Sequence, residues 1–201
     1  MDKISYALGM SIAHNMMQSG VNRLEFDDFT TGLKAVMTGA EPALSFEEAG
    51  NALEEFFNSL EAEREAMNAE MGKKMKEEGE AFLAVNAKKE GVKVLASGLQ
   101  YKVLTEGTGK KPGATDKVKC HYAGTFTDGQ TFDSSYQRGE PAVFGVNQVI
   151  KGWTEALQLM SEGSVWELYI PYELAYGENG APGAIPPYSA LIFKVELIEV
   201  L

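Results

Sequence analysis

A stretch of about 44 residues without proline, residues 45–88, constrains the fold of this chain more than any other feature. It opens with Ser45 and Glu48, the S-x-x-E spacing of a helix start in which each side chain caps the other residue's backbone N–H. A continuous helix of this length is a rod of about 66 Å. Its polar middle, residues 61–70, is typical of a helix that crosses solvent. Such a rod is too long to bury itself against the residues that precede it.

The residues before and after about position 90 differ in composition. Residues 1–90 hold eight of the nine methionines and 17 of the 29 acidic residues but only one proline, which favours helix. Residues 91–201 hold six of the seven prolines, fourteen of the 21 glycines and thirteen of the twenty aromatic residues, which favours short strands and turns. We therefore expect an α+β protein with a helical domain over 1–44, a long connecting helix over 45–90 and a separate domain over 97–201.

Two short helices precede the rod. Apolar residues at i+4 spacing predict an amphipathic helix over 3–18 that ends at Gly20. A second apolar stripe, from Phe26 to Met37, is closed by Gly39 and predicts another helix. Two helices of this size bury little surface by themselves. Either they fold onto the rod or two copies share one core. The methionines, which adapt to interfaces, favour a homodimer formed through residues 1–44.

The second half has the patterns of a small antiparallel sheet with one helix. Alternating apolar residues predict strands near 99–103 and 118–122, and the pair Asp128-Gly129 predicts a hairpin. Two further strands are expected over 165–170 and 191–200, separated by a long loop of the kind that is usually functional. Four residues have the spacing of the inner face of a short helix: Trp153, Ala156, Leu157 and Met160.

Charge and residue counts exclude several functions. The formal charge of −11 argues against non-specific binding to nucleic acid or to an anionic membrane surface. No apolar run approaches the ~20 residues that cross a bilayer. One cysteine excludes an intrachain disulfide, and one cysteine with two histidines makes a structural zinc site improbable. Cys120 and His121 are neighbours in a predicted strand, so their side chains point to opposite faces and do not form a nucleophile pair.

The N-terminus gives a prediction about the compartment. It lacks a positively charged start followed by a continuous apolar stretch, so it does not resemble a secretion signal. Together with the single cysteine, this favours a cytoplasmic protein. A chain whose leader had been removed would look the same, and the protein would then be periplasmic or exported.

The second half is chemically distinctive in its many aromatic and apolar residues near loops, next to one carboxylate, Asp133. These residues are Tyr122, Phe132, Phe144, Val149, Ile150, Trp153, Tyr176, Ile185 and Phe193. One interpretation is that they form the core of a small domain. The other is that they form an apolar ligand pocket with few polar groups.

Six segments in the second half resemble FKBP-type peptidyl-prolyl cis-trans isomerases in order and spacing. They are 118–124, 128–135, 138–141, 149–153, 175–177 and 185–187. Residues 5–9, 32–34 and 86–92 resemble the subgroup with an N-terminal helical dimerisation domain, the macrophage infectivity potentiator-like and FklB-type proteins. The resemblance covers nearly the whole chain.

The resemblance implies a fold, an activity and a set of partners. The fold is a bent antiparallel sheet wrapped on a short helix, with the pocket between them. The activity is acceleration of X–Pro bond rotation in folding polypeptides, without cofactor or metal. The partners are unfolded or partly folded proline-containing polypeptides, with macrolide inhibitors as further ligands. The alternative is a dimeric folding chaperone that binds unfolded chains and whose isomerase activity is secondary.

The resemblance also implies residue roles. The polar contacts of the reaction would come from Tyr122, Asp133 and Tyr176. Arg138 would hold Asp133 in place without contacting the substrate. The Ile150 N–H and the Tyr176 hydroxyl would each donate to a bound carbonyl. The substrate-binding surface would consist of Phe132, Phe144, Val149, Ile150, Trp153, Ile185 and Phe193, with Trp153 as the floor.

Three alanines depart from the family pattern. Ala142, Ala181 and Ala184 stand where relatives often have larger side chains. The resemblance therefore predicts a pocket that is wider at one rim, with a changed preference for substrates and macrolides.

Overall fold

The computed structural model describes residues 1–201, which divide into two compact units, Met1–Ala66 and Met67–Leu201. Its three long helices are α1 (Lys3–Gln18), α2 (Phe26–Thr38) and α3 (Phe46–Asn86), and α3 begins in the first unit and ends in the second. None of the helices is long and apolar enough to cross a membrane. The finer division at 1–44, 45–90 and 97–201 stays a prediction.

The helix boundaries in the first unit follow from local capping. The Asp2 carboxylate accepts a hydrogen bond from the Ser5 N–H at 2.8 Å and starts α1, which has the predicted bounds. Gly39 adopts φ +68° and ends α2. The predicted capping box starts α3, because the Glu48 N–H donates to Ser45 Oγ at 3.2 Å and the Ser45 N–H donates to the Glu48 carboxylate at 2.9 Å.

Helix α3 confirms the prediction of one uninterrupted rod, since it runs through 41 residues. Every residue from 61 to 70 is exposed, as their polar composition predicts. In the second unit, the end of α3 packs closely on other elements. A Cβ on Gly79 would lie 2.9 Å from the Ala190 Cβ, and the buried Asn86 amide donates to Gln100 Oε1 at 3.1 Å.

The second unit is built on a seven-stranded antiparallel sheet. Its strands are β1 (Val92–Val94), β2 (Gln100–Thr105), β3 (Lys117–Phe126), β4 (Thr131–Ser134), β5 (Ala142–Gly145), β6 (Val165–Ile170) and β7 (Leu191–Val200). The order is β1-β2-β6-β7-β3-β4, and β5 pairs with the first part of β3. The predicted bounds of β6 and β7 are confirmed. Strands β1 and β5 were not predicted, because three or four residues are too few to show an alternating pattern.

A hairpin and several register shifts shape the sheet. The predicted hairpin joins β3 to β4, with Gly129 at φ +90° in the turn. Register shifts interrupt the β2–β6, β3–β4 and β3–β7 pairings. Such bulges bend a strand and increase its twist, which lets an antiparallel sheet curve.

The curved sheet packs on a short helix. After the one-turn helix α4 (Ser135–Arg138), helix α5 (Lys151–Leu159) places its predicted inner face in the core. Trp153, Ala156, Leu157 and Met160 are at most 4% exposed. Gly152 permits close contact with β6, because a Cβ there would lie 2.6 Å from Ile170 Cγ2. The α+β fold is as predicted.

Replacing Leu157 by alanine will test how much this packing contributes to stability. Leu157 is fully buried, so Leu157→Ala leaves a cavity and should lower the free energy of unfolding by about 2–5 kcal/mol. Leu159→Ala is the matched control, because Leu159 lies on the same helix and is 38% exposed. It should cost about 0.5 kcal/mol or less. Urea unfolding monitored by tryptophan fluorescence reports on this unit, which holds both tryptophans. Equal losses in the two variants would contradict the assignment of the core.

Candidate active site

A cavity of about 410 Å³ opens beside α5 in the second unit. It is lined by Tyr122, Phe132, Asp133, Phe144, Gln148, Val149, Ile150, Trp153, Tyr176 and Phe193. Nine of these ten residues are among those singled out from the sequence, and they come from β3, β4, β5, α5, β7 and two loops. Residues separated by up to 71 positions thus meet at one site.

Trp153 lies at the centre of the aromatic lining. Its ring makes edge-on contacts with Phe193, Tyr122 and Phe144, at centroid distances of 5.3, 5.4 and 5.7 Å. Edge-to-face contacts of this kind favour a fixed arrangement of rings over a fluid one. Trp153 is 4% exposed, and its buried indole N–H has no hydrogen-bond partner in the chain. The base of the cavity is therefore a packed aromatic surface that contains one unpartnered N–H donor.

A glycine in β3 lets two more rings close the wall. A Cβ on Gly124 would lie 2.6 Å from the Phe132 ring and 2.7 Å from the Phe193 ring. These two rings meet edge-on at 5.5 Å, and Phe126 packs on the outer side of Phe132 at 5.0 Å. A larger side chain at position 124 would have to displace the wall of the cavity.

One polar cluster borders the aromatic rings. The Tyr122 hydroxyl donates to Asp133 Oδ2 at 2.5 Å and accepts from Arg138 Nη2 at 2.7 Å. Arg138 Nη1 also donates to Asp133 Oδ1, and its guanidinium lies 5.4 Å from the centre of the Tyr122 ring. Arg138 does not itself line the cavity. It contacts Asp133, the partner that the resemblance implied, and also Tyr122.

The cluster keeps its protons fixed near neutral pH. Burial by itself would raise the pKa of Asp133, but hydrogen bonds from Tyr122 and Arg138 outweigh it and hold that pKa below its ordinary value of 3.8. Burial and the hydrogen bond to Asp133 raise the pKa of Tyr122. Asp133 is therefore a carboxylate and Tyr122 a neutral donor, so neither group is set up to exchange protons with a substrate.

Two hydrogen-bond donors at the rim have no partner within the chain. The Ile150 N–H stands at the start of α5 and donates to no group of the protein. The Tyr176 hydroxyl makes no hydrogen bond, and Tyr176 is 42% exposed on the loop between β6 and β7. A peptide in the cavity could accept from both donors.

Two residues differ in placement from the sequence interpretation. Ile185 does not line the cavity. Its side chain is 6% exposed in the core, and its backbone pairs with Ala181 in two hydrogen bonds of 2.8 Å. Gln148 lines the cavity but was not singled out, because the search of the sequence followed apolar and aromatic residues. Its position directly before Val149 was the available signal.

The three alanines lie outside the lining of the cavity. Ala142 is in β5, opposite Cys120, while Ala181 and Ala184 lie in the loop between β6 and β7. The wider rim inferred from them stays a prediction. Cys120 is fully buried, and burial raises the pKa of its thiol to about 12. The thiol is protonated at neutral pH and is not a nucleophile.

Comparisons with known proteins cover both units. The family model described as FKBP-type peptidyl-prolyl cis-trans isomerase matches residues 108–198, and the model described as the domain amino terminal to it matches residues 1–103. The FKBP-type 22 kDa peptidyl-prolyl cis-trans isomerase of Escherichia coli K12 is 45% identical over 98% of this chain and 94% of its own length. The outer membrane protein MIP of Legionella longbeachae is 44% identical over 99% and 85%.

A solved structure is similar over nearly the same range. The crystal structure of FkpA from Escherichia coli gives a TM-score of 0.77 at 36% identity, covering 98% of this chain and 95% of that one. Sequence and fold therefore agree over both halves of the chain.

Titration of Asp133 will test the polar cluster. Arg138→Gln removes a cation that stabilises the carboxylate, so it should raise the pKa of Asp133 toward or above 3.8. A group with a lowered pKa in the folded state adds stability above its unfolded pKa and loses it as the pH falls through the folded pKa. The variant should therefore lose less stability than the parent on acidification below pH 3.8.

Carboxyl chemical shifts followed by NMR give the measurement. Asp116 is the internal control, because its carboxylate accepts from the Gly113 N–H and shares no hydrogen bond with Arg138. Identical titration of Asp133 in both proteins would show that Arg138 does not control its charge.

Proposed function

The chain belongs to the FKBP-type peptidyl-prolyl cis-trans isomerase family, and we propose that the family's reaction, rotation about X–Pro bonds of polypeptides, takes place in the cavity beside α5. The observation that supports this placement is the lining itself. It holds five aromatic rings besides a buried tryptophan, and its one carboxylate is already engaged by Tyr122 and Arg138.

The reaction needs no acid, base or nucleophile. The barrier to rotation of about 18–20 kcal/mol comes from the loss of amide resonance, and free X–Pro bonds isomerise over tens to hundreds of seconds. The planar amide is charge-separated and is stabilised by water. An apolar cavity removes that stabilisation, so it disfavours the planar form relative to the twisted one. Catalysis is then tighter binding of the twisted amide than of either planar isomer.

Each residue at the site has a part in this mechanism. The proline ring rests on Trp153 between the rings of Tyr122, Phe144 and Phe193. The Ile150 N–H and the Tyr176 hydroxyl donate to peptide carbonyls and fix the chain on both sides of the rotating bond. Lowering the barrier by about 5.5 kcal/mol in this way gives a rate increase of about 10⁴-fold. Phe132, Val149 and the Asp133 carboxylate complete the wall, and macrolide inhibitors would compete for the same surface.

The first unit points to a homodimer. No residue of α1 or α2 is buried within one chain, although each helix carries an apolar stripe. Between them lies a groove of about 940 Å³ with a mainly apolar lining that includes Leu8, Ile12, Met16, Phe29, Leu33 and Met37. Isolated short helices are marginal in water and depend on packing of their apolar face. We infer that a second copy of this chain covers the groove.

A dimer also supports the second candidate function, a chaperone that holds unfolded chains. Two sites carried by one dimer can engage one polypeptide together and raise its apparent affinity. The observation in favour of this function is the apolar groove of the first unit, because the dimer that it supports would carry two cavities. In this alternative, isomerisation is secondary to binding.

The compartment stays a prediction. The relatives give the cytoplasmic location no support, because one of them is named an outer membrane protein. An exported protein fits that name.

Removing the Tyr176 hydroxyl will test the site. Tyr176→Phe loses one donor to the substrate and should lower kcat/KM on an Xaa-Pro peptide about two- to tenfold, since a hydrogen bond is worth about 0.5–1.5 kcal/mol. Asp133→Leu should lower it further, because it frees the Tyr122 hydroxyl and leaves Arg138 unpaired. Tyr136→Phe is the matched control, because Tyr136 is 41% exposed and bonds to Glu196 away from the cavity. Unchanged kcat/KM in Tyr176→Phe would remove this residue from the mechanism.

A charge in the groove will separate the dimer and chaperone proposals from the reaction. Leu33→Glu should convert a species of twice the 21.9 kDa chain mass into a monomer in sedimentation, because the carboxylate would be buried at the interface. Short-peptide isomerisation should persist. If the dimer acts as a chaperone, suppression of aggregation of a proline-independent client should be lost. Thr31→Glu adds the same charge on α2 outside the groove and is the control. A parent chain that sediments as a monomer would contradict the dimer.

A further inference from the structure

The loop between β6 and β7 contains a residue with a strained backbone, Tyr188. Tyr188 has φ +56° and is the only residue other than glycine with a positive φ. A bulky residue rarely adopts this conformation and keeps it only where its surroundings enforce it. Tyr176 lies in the same loop, so contacts that hold Tyr188 can also affect the position of Tyr176.

Two backbone hydrogen bonds connect the strained residue to the site. The Tyr188 N–H donates to the Gly177 carbonyl at 3.1 Å, and the Gly177 N–H donates to the Tyr172 carbonyl at 2.9 Å. Gly177 directly follows Tyr176 in the chain. The position of the Tyr176 backbone is therefore set by Tyr172 on one side and Tyr188 on the other.

Helix α3 holds both tyrosine rings from outside the loop. The two rings meet edge-on at 5.1 Å, and the Lys76 ammonium lies 5.6 Å from the centre of the Tyr172 ring and 5.8 Å from that of Tyr188. A cation this close to an aromatic face is attracted to it. The contact with Tyr172 also raises the pKa of Lys76. We call this contact of Lys76 with the rings of Tyr172 and Tyr188 the clamp.

One turn earlier, α3 has a glycine where the Tyr188 ring approaches. A Cβ on Gly72 would lie 2.9 Å from Tyr188 Cδ2, and Gly72 is buried although it lies in a largely exposed helix. The ring therefore packs directly on the helix backbone. Gly50, on the same helix, has no atom within 4 Å of where its Cβ would be. The close approach is a local property of the turn that contains Gly72 and Lys76.

We propose that Lys76 is a positioning residue of the isomerase site, which acts through Tyr172 and Tyr188 to hold Tyr176 at the rim of the cavity. This inference rests on the proposed role of Tyr176. It makes residues 72–76 of the connecting helix part of the enzyme's site, although none of them lines the cavity. When a binding-competent state is only partly populated, apparent affinity falls by that fraction while the bound state is unchanged. Loss of the clamp therefore raises KM and leaves kcat nearly unchanged.

The experiment compares two lysines of α3 in the full chain. Lys76→Met removes the charge and keeps most of the length of the side chain, and it should raise KM for an Xaa-Pro peptide about fivefold with kcat within about twofold. Lys76→Arg keeps a cation over the rings and should restore KM. Lys74→Met is the matched control, because the Lys74 side chain is 70% exposed and pairs only with Glu78. It should leave both constants unchanged.

Amide hydrogen exchange gives a readout that does not depend on catalysis. The amides of Gly177 and Tyr188 should exchange faster in Lys76→Met, while those of β3 and β7 should not. Gly72→Ala should give the same pattern by displacing the Tyr188 ring, and Gly50→Ala should not. Alanine is a better helix former than glycine, so weakening of α3 cannot account for the effect.

The outcomes separate this inference from the proposed function. A wild-type KM in Lys76→Met overturns the inference, and so does an equal rise in Lys74→Met. If Tyr176→Phe nevertheless has a lowered kcat/KM, the proposed function stands. A full chain without isomerase activity would overturn the proposed function instead. Even in that case, unchanged amide exchange at Gly177 and Tyr188 in Lys76→Met would overturn the inference about Lys76, because this readout does not depend on catalysis.

Discussion

The packing of Trp153 against the sheet is the interaction on which both the fold and the site depend. Its indole ring contacts Tyr122 from β3, Phe144 from β5 and Phe193 from β7, so one side chain joins α5 to three strands. The same ring forms the floor of the cavity. Core packing fixes side chains in single arrangements. The site is therefore preorganised by the contacts that stabilise the domain, and the protein needs no separate scaffold for it.

The chemistry of the reaction explains what the site lacks. Rotation about an amide bond moves no proton and breaks no σ bond, so the site proposed at this cavity needs no acid, base or nucleophile. The charge of Asp133 serves geometry, because it anchors the Tyr122 hydroxyl and Arg138 beside the aromatic wall. An acidic chain that is poor in histidine and cysteine is thus compatible with an enzyme. Most of the acidic residues lie before residue 91, and none of these lines the cavity.

The two ends of the connecting helix α3 are fixed by different interactions. Its first turn depends on the Ser45–Glu48 capping box and can be read from the sequence. Its last turns are held by glycines that allow contact with Tyr188 and Ala190, and by the buried Asn86–Gln100 hydrogen bond. In the sequence, Gly72 and Gly79 resemble weak points of a helix. In the structure they are positions at which α3 packs closely on the loop between β6 and β7.

Local periodicity and capping determined much of this protein from the sequence alone. The bounds of α1, β6 and β7, the Asp128-Gly129 hairpin and the inner face of α5 follow from interactions between residues a few positions apart. Nine of the ten residues that line the cavity were also found from the sequence, because aromatic residues near loops and a family resemblance both indicate them. The tertiary structure alone decided the pairing of β5 with β3, the place of Gln148 at the cavity and the burial of Ile185 in the core. It also decided the contact of Lys76 with two tyrosines about a hundred residues away. These features depend on contacts between residues far apart in the chain, and no local pattern of hydrophobicity records which distant residue a side chain will meet.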